Sequence, residues 1–435
     1  MVEFLLTLPA VVKIIASLVL IVAVNRFLKQ LLYSVLIGAL FLGLWCGHSL
    51  FSLLFIAWQR FSSIDNLMLM VVIIEVISLS TLMSRSRVMA DLVEAVQSRI
   101  SRRAALAVLP AIIGLLPMPG GAYFSAPMVD SCDTEKNIQS LLKTKINYWF
   151  RHIWEGWWPL YPGFLVAVDI MNVEIWQFML VQIPVSLLTV LSGYWFLLRR
   201  VPVAARIKDE KSTGPDRKNG QPLLVLITPI LVTIAVYALI TIFLPFIGQI
   251  NKYLPMIVGL LMAVITLQAQ RPQPAKEWRQ IIFTKRTLFL VLLIGAVRIY
   301  GAVIDTPLPT GLLLVEQMRL ELVQWGIPFL AVMALIPLFS GMAMGVTVGY
   351  VGASFPIVLS LLGPDPSLMS ILSACMLAYG TGFVGQMLTP MHVCLVVTND
   401  YFKTRLFPSI ISLLKPAAGV SIGIFAFYFF LQFFV

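Results

Sequence analysis

Long apolar runs separated by short polar turns make up most of the chain. A run of about twenty apolar residues is enough for an α-helix to cross the hydrocarbon core of a bilayer. Runs of this kind occupy 4–25, 31–47, 66–83, 148–171 and 174–198, and then 222–245, 253–269, 287–304, 367–398 and 407–434. The pattern predicts an all-α polytopic membrane protein with about ten transmembrane helices.

Two further apolar stretches, at about 104–131 and 326–363, are interrupted by glycine and proline. The first contains GLLPMPGGAYFSAPMVD, and the second contains FSGMAMGVTVGYVGASFP. Proline removes a backbone donor and glycine weakens a helix, so in lipid such breaks survive only where protein or water satisfies the freed groups. Each stretch is therefore predicted to be a re-entrant hairpin that precedes a span containing its own break.

The two hairpins recur at corresponding positions in the two halves of the chain. Gly121 aligns with Gly345, and the segment Ser125-Ala126-Pro127 aligns with Ser354-Phe355-Pro356. Each half has an odd number of full spans, so the halves are inverted relative to one another and the hairpins enter from opposite sides. We expect a first inverted repeat at 1–200, a basic cytoplasmic linker at 201–221 and a second inverted repeat at 222–435.

The basic residues give an orientation. Arg and Lys are concentrated in the polar stretch 199–221, and most other basic clusters fall on the same side when that stretch is placed in the cytoplasm. Both termini then lie on the outer face of the cytoplasmic (inner) membrane. The first hairpin enters from the cytoplasm and the second enters from outside.

Composition excludes a soluble protein and several kinds of function. Hydrophobic residues make up 59% of the chain and charged residues 12%, too few to cover a water-exposed surface. The net charge of +11 is assigned to cytoplasmic loops, so no nucleic-acid partner is expected. The four cysteines are scattered and form no CxxC pair, and neither a nucleophile elbow nor a phosphate-binding loop is found. We therefore expect no enzymatic activity, no disulfide framework and no direct use of ATP.

Three segments resemble the signatures of a prokaryotic membrane family, domain of unknown function four hundred and one: LPMPGGAYFSAPMVD, WFRHIWEGWWPLYPG and GQMLTPMHVCLVVTNDYF. That family is grouped with the ion transporter superfamily, and the resemblance covers nearly the whole chain. It implies a scaffold domain, a transport domain with two opposed hairpins and two broken helices, and an elevator-type mechanism. It also implies a homodimer that carries organic anions with sodium or protons. The Ser-Asn-Thr hairpin motif of dicarboxylate carriers is missing, so a dicarboxylate substrate is not carried over.

The hairpin tips and the polar residues beside the predicted breaks form the candidate substrate site. Half-helix N-termini favour anions, and opposed carbonyl ends can coordinate a cation. The candidate substrate-binding residues are Gly120, Gly121, Ser125, Gly345, Ser354, Thr389, Pro390 and Arg298. In the alternative interpretation the glycines only let helices pack closely, and each hydroxyl bonds to its own helix.

Titratable and polar residues within the apolar runs are candidates for ion coupling, since burying charge in hydrocarbon is costly. The candidates are Glu75, His152, Thr381, His392 and Asn399. Glu75 and Arg298 occupy nearly equivalent positions in the two halves, so they either pair with each other or act separately. Without a carboxylate-rich cluster, His152 and His392 do not predict a metal site. Arg151 is interpreted as a basic flank at the cytoplasmic face.

The sequence thus predicts a secondary active transporter for a small anionic organic solute, coupled to sodium or protons and needing no other cofactor. The expected partners are the solute, the lipid bilayer and a second copy of the chain. The alternative is a carrier or flippase for a lipid or a lipid-linked head group, which opposed re-entrant hairpins would also suit.

Overall fold

The computed structural model describes residues 8–97, 99–117, 121–201, 222–308 and 311–435. Regular structure in these residues is helical, apart from an antiparallel bridge between Pro307 and Leu313. The first half contains α1 (Ala10–Leu28), α2 (Leu31–Trp45), α3 (Leu50–Phe61), α4 (Ile64–Arg85), α5 (Val88–Gln97), α6 (Arg102–Gly114), α7 (Ala122–Ser131), α8 (Ser140–Arg151), α9 (Pro162–Ile170) and α10 (Ile175–Phe196). The second half contains α11 (Leu223–Phe243), α12 (Pro245–Ile250), α13 (Leu254–Gln270), α14 (Ala275–Ile282), α15 (Lys285–Ile304), α16 (Leu314–Gln324), α17 (Phe329–Met344), α18 (Thr347–Leu361), α19 (Leu368–Met387), α20 (Val393–Phe402) and α21 (Leu406–Leu431).

Several helices begin at a side-chain cap that the sequence supplies. The hydroxyl of Ser63 accepts a hydrogen bond from the backbone N–H of Asn66 at the start of α4, and Thr284 caps α15 in the same way. Ser101 and Ser367 cap α6 and α19. Such caps satisfy one of the backbone donors left open at a helix start, and this fixes where each helix begins.

Seven of the described helical segments are long and apolar enough to cross a membrane, and the pair α16 and α17, bent by 118°, would make eight. The predicted spans 31–47 and 253–269 correspond to the shorter helices α2 and α13, of 15 and 17 residues. The predicted span 148–171 corresponds to α8 and α9, which are separated by an irregular break. The sequence did not predict α3, whose 12 residues fall below spanning length.

The two stretches predicted as hairpins each contain two helices that pack against one another. These pairs are α6 with α7 and α17 with α18. The second pair is joined at Gly345, which ends α17 in the left-handed conformation at a φ of 64°. Glycine adopts that conformation without the steric cost that a Cβ atom brings, so it permits the sharp reversal between the two helices.

Contacts between helices recur in corresponding pairs in the two halves. Helix α1 packs on α2 as α11 packs on α13, and α2 contacts α15 as α13 contacts α4. Around the hairpins, α6 packs on α8 as α17 packs on α19. Helix α7 contacts α20, and α18 contacts α9. One helix of each hairpin therefore lies against a half-helix contributed by the other half of the chain.

Backbone contact holds each hairpin against the broken helix beside it. A Cβ atom at Gly114 would lie 2.0 Å from the carbonyl oxygen of Arg151, and one at Gly385 would lie 2.0 Å from the carbonyl oxygen of Leu338. No side chain fits at either position. Small residues of this kind let membrane helices approach at backbone distance. This packing brings the hairpins to the two helix breaks.

Candidate functional site

The site is built where two helices are interrupted. Helix α8 ends at Arg151 and α9 begins at Pro162, while α19 ends at Met387 and α20 begins at Val393. Proline suits the first position of α9, because the backbone N–H that it lacks would have no partner within the helix. Each break leaves helix ends, with open donors and acceptors, inside the protein.

The two breaks meet through a pair of buried histidines. Nε2 of His152 lies 2.9 Å from Nε2 of His392. Nδ1 of His152 lies 2.5 Å from the carbonyl oxygen of Tyr148, so in the neutral ring Nδ1 carries the proton and donates it to that oxygen. Nε2 of His152 then directs its lone pair at His392. The structure thus brings together two of the predicted coupling residues.

Arg151 lies inside this site. The residue is only 3% exposed, so Arg151 is not the exposed basic flank that its sequence position suggested. Nη1 donates to Sγ of Cys394 at 3.2 Å and lies 3.4 Å from Nε2 of His152. The residue is buried because the last turn of α8 packs under the first hairpin. Sequence position beside a predicted membrane boundary did not reveal this.

Glu155 supplies the carboxyl group of the site. Its Oε2 accepts a hydrogen bond from Nε2 of Gln386 at 2.6 Å, and the Thr347 hydroxyl lies 3.5 Å away. Its Oε1 lies 3.8 Å from Nε2 of His152. A buried carboxylate is tolerated only with compensating charge or hydrogen bonds, and here Arg151 and Gln386 provide them.

Both hairpin tips are in close contact with the helix breaks. A Cβ atom at Gly121 would lie 2.3 Å from Nη2 of Arg151, and one at Gly345 would lie 3.0 Å from the backbone nitrogen of His392. The first tip therefore covers the first break, and the second tip covers the second break. These two glycines are brought to one site with the histidines, while Gly120 lies outside the described residues.

Three of the predicted hydroxyl residues lie within helices. Ser354 donates to the carbonyl oxygen of Tyr350 at 2.6 Å, and Thr381 donates to that of Leu377 at 2.9 Å. Both are bonded to their own helix, as in the alternative interpretation. Ser125 is buried on α7, and its Oγ has no hydrogen-bond partner among the described residues. Of the three, Ser125 retains an open hydrogen-bonding group.

Two of the predicted residues in and after the second break, Thr389 and Asn399, form hydrogen bonds to neighbouring segments. The Thr389 hydroxyl donates to the carbonyl oxygen of Met342 and accepts from the backbone N–H of Met391, so it ties the break to the end of α17. Pro390, beside it, is exposed. Asn399 lies at the other end of α20, where its Oδ1 accepts hydrogen bonds from hydroxyl groups of Thr404 and Ser409. These hydrogen bonds tie the end of α20 to the segment that follows it.

Arg298 forms a buried ion pair with Asp169, an acid of the other half that the sequence reasoning had overlooked. The Tyr253 hydroxyl donates to Oδ1 of Asp169 at 2.5 Å. The pairing of Arg298 with Glu75 is not found. Glu75 lies on α4, and its buried Oε2 has no hydrogen-bond partner among the described residues. The lone carboxylate within the run GFLVAVDIM was the available signal for Asp169.

Cys394 and Thr347 were also missed as site residues. Cys394 follows His392 by two positions, and Thr347 follows Gly345 by two positions. Each lies at the start of a helix that begins beside a break or a hairpin tip. Proximity to the predicted breaks was the signal that would have included them.

The apolar helices, the two breaks and the buried charged cluster define a multi-pass helical membrane protein. The chain belongs to the family described as protein of unknown function (DUF401), whose profile matches residues 11–429. The family resemblance drawn from the three sequence motifs is thereby confirmed. No curated protein matches the chain.

Proposed function

We propose that this protein is a secondary active transporter that moves a small anionic organic solute across the cytoplasmic membrane, coupled to sodium or protons. One observation carries the proposal. Two helix breaks and two hairpin tips meet at a buried cluster containing Arg151, Glu155 and the His152–His392 pair. Ionisable groups buried within a membrane protein are costly and mark substrate or ion pathways. Broken helices from two repeats surround the sites of secondary transporters.

The paired contacts of the two halves support an inverted repeat. Contacts such as α7 with α20 and α18 with α9 are those expected when the halves are related by a pseudo-two-fold axis in the membrane plane. The long helices, the shorter α2 and α13, and the interrupted helices then make about ten spans. The two helix pairs that pack on the breaks act as re-entrant hairpins from opposite sides, with both termini outside.

An anionic solute fits the charge of the site, although the cation is not the one that the sequence indicated. Arg298 is neutralised by Asp169. Arg151 instead lies between the first hairpin tip at Gly121 and the start of α20 at Cys394. The N-termini of α7 and α20 carry partial positive charge, so together with Arg151 they favour an anion. Glu155 balances this charge when no solute is bound.

Alternating access follows from moving the site relative to a scaffold. The hairpins and broken helices contact one another through backbone and buried polar groups, so we expect them to move as one body. The helices α1, α2, α11 and α13, which pack in pairs, would form the scaffold and the contact between two copies. This is the elevator-type motion and the homodimer that the sequence resemblance implied.

The test is uptake of labelled organic anions by purified protein in liposomes under an imposed sodium gradient, an imposed pH gradient or neither. We expect accumulation with one of the two gradients and its loss in Arg151→Gln. Arg279→Gln, at an exposed position, is the matched control and should retain uptake. Lipid scrambling without solute accumulation would favour the lipid carrier. Uptake that ignores both gradients would indicate facilitated diffusion.

A further inference from the structure

Three side chains with metal-binding atoms converge at the centre of the two breaks. Nitrogen atoms of His152 and His392 and the sulfur atom of Cys394 all lie within 4.8 Å of one another, and all three residues are buried. They come from opposite halves of the chain, with His152 following α8 and the other two at the start of α20. Tertiary packing alone brings them together.

The histidine geometry suits a cation held between the two rings. The Tyr148 carbonyl oxygen accepts a hydrogen bond from Nδ1–H of His152, so Nε2 of that neutral ring is an electron-pair donor. A backbone or carboxylate acceptor in this position orients the histidine ligands of metal sites and makes them more basic. The distance of 2.9 Å between the two Nε2 atoms is close to the roughly 3.3 Å that tetrahedral zinc requires between two nitrogen ligands at about 2.0–2.1 Å.

The remaining neighbours complete the donor set and its charge. Oε1 of Glu155 lies 3.8 Å from Nε2 of His152, within reach of a fourth coordination position. Nη1 of Arg151 lies 3.2 Å from Sγ of Cys394 and offsets the charge of a metal-bound thiolate. Imidazole and thiolate donors select ions of the zinc class over sodium, magnesium or calcium, which prefer oxygen.

We propose that His152, His392 and Cys394 bind one divalent transition-metal ion of the zinc class, with Glu155 or a solute anion at the fourth position. This departs from the expectation, drawn from the two histidines alone, that the chain holds no metal. The proposal concerns binding, and it does not depend on whether the protein transports a solute. A metal with an open position beside Arg151 would give an anionic ligand two points of attachment.

Cobalt(II) is the probe, since it replaces zinc and reports its ligands by absorption. Purified full-length protein in detergent is stripped with a chelator, freed of the chelator and titrated with Co²⁺. We expect one ion per chain, a thiolate-to-cobalt charge-transfer band in the near ultraviolet, and displacement by Zn²⁺. Cys394→Ser should remove the band, and His152→Asn should weaken binding at least about ten-fold. The controls Cys375→Ser and His48→Asn should leave both unchanged.

Wild-type protein that shows no charge-transfer band or no saturable Co²⁺ binding overturns the proposal, whatever the variants do. Binding that persists with an unchanged band in Cys394→Ser also overturns it. Gel filtration and circular dichroism show whether each variant is folded before it is titrated. Uptake is measured separately in metal-free liposomes. Uptake without metal binding would support the transport proposal and contradict the metal site. Metal binding without uptake would support the metal site and contradict the transport proposal.

Discussion

The carboxylate of Asp169 and the guanidinium of Arg298 form a buried ion pair that joins the two halves of the chain. Asp169 lies in the last turn of α9, beyond the break, and Arg298 lies within α15. The Tyr253 hydroxyl bonds the second carboxylate oxygen of Asp169. The pair therefore joins the end of α9 to α15 across the two halves.

Replacing one member of this ion pair should lower the free energy of unfolding much more than replacing both members. Arg298→Met leaves the buried Asp169 carboxylate with only the more distant cation Lys252, whose Nζ lies 3.7 Å from Oδ1, so we expect a loss of up to about 3–5 kcal/mol in stability. The double variant Asp169→Leu/Arg298→Met should recover a large part of that loss. Thermal and denaturant unfolding in detergent measure both effects, with Arg405→Met at an exposed position as control. Additive losses in the double variant would show that the two side chains are not coupled.

The second hairpin tip should tolerate no side chain. Gly345 and Gly326 both have a φ of 64°, but a Cβ atom at Gly345 would lie 3.0 Å from the backbone nitrogen of His392, whereas one at Gly326 would have nothing within 4 Å. Gly326→Ala should therefore cost only the left-handed strain, about 1–2 kcal/mol. Gly345→Ala should cost more and should reduce uptake. Equal melting temperatures for the two variants would mean that the tip does not press on the break.

The hydrogen bond between Gln386 and Glu155 should contribute to both the stability of the protein and its uptake activity. Gln386→Met removes the donor 2.6 Å from Oε2 of Glu155, and a lost hydrogen bond to a buried charged group costs about 1.5–3 kcal/mol. We expect a lower melting temperature and weaker uptake. The exchange Glu155→Gln/Gln386→Glu keeps one amide and one carboxylate in contact, so it should restore stability better than either single change. A double variant no more stable than the singles would contradict this.

The inverted repeat proposed for the two halves predicts opposite accessibility of the two hairpin bases. Single cysteines at the exposed positions Ser131 and Asp365 should label from the cytoplasmic side and from the outside, respectively. The four native cysteines are buried and should give little background. Labelling of both new cysteines from the same side of sealed vesicles would contradict the inverted arrangement.

The labelling of the native residue Cys132 should increase as the pH is raised. Burial raises the pKa of Cys132 to about 11, with Arg102 partly offsetting that rise. The thiolate is the reactive form, so at pH 8 only about one molecule in a thousand is reactive, and labelling should increase toward pH 11. Maleimide labelling of folded protein at several pH values measures this, with Cys132→Ser as control. Rapid labelling at pH 7 in the folded protein would contradict the burial of this thiol.

Several features of the fold were set by local chemistry and could therefore be predicted from the sequence. Hydropathy placed the apolar helices, and the glycines and prolines placed the helix pairs 102–131 and 329–361 and the two breaks. The reversal at Gly345 follows from the freedom of glycine at positive φ. The family was also recognisable from three continuous motifs. Each of these depends on neighbouring residues along the chain.

Tertiary structure alone decided which charged groups meet. His152 and His392 are 240 residues apart, and their contact depends on how α8 packs against α20. The sequence placed Arg151 at a surface and left the partner of Arg298 open, whereas packing buried Arg151 and paired Arg298 with Asp169. Hydropathy shows that a charge in an apolar run needs a partner, but it contains no information on which distant residue provides one. That choice depends on the distances of closest approach between helices, which are fixed only when the whole chain has packed.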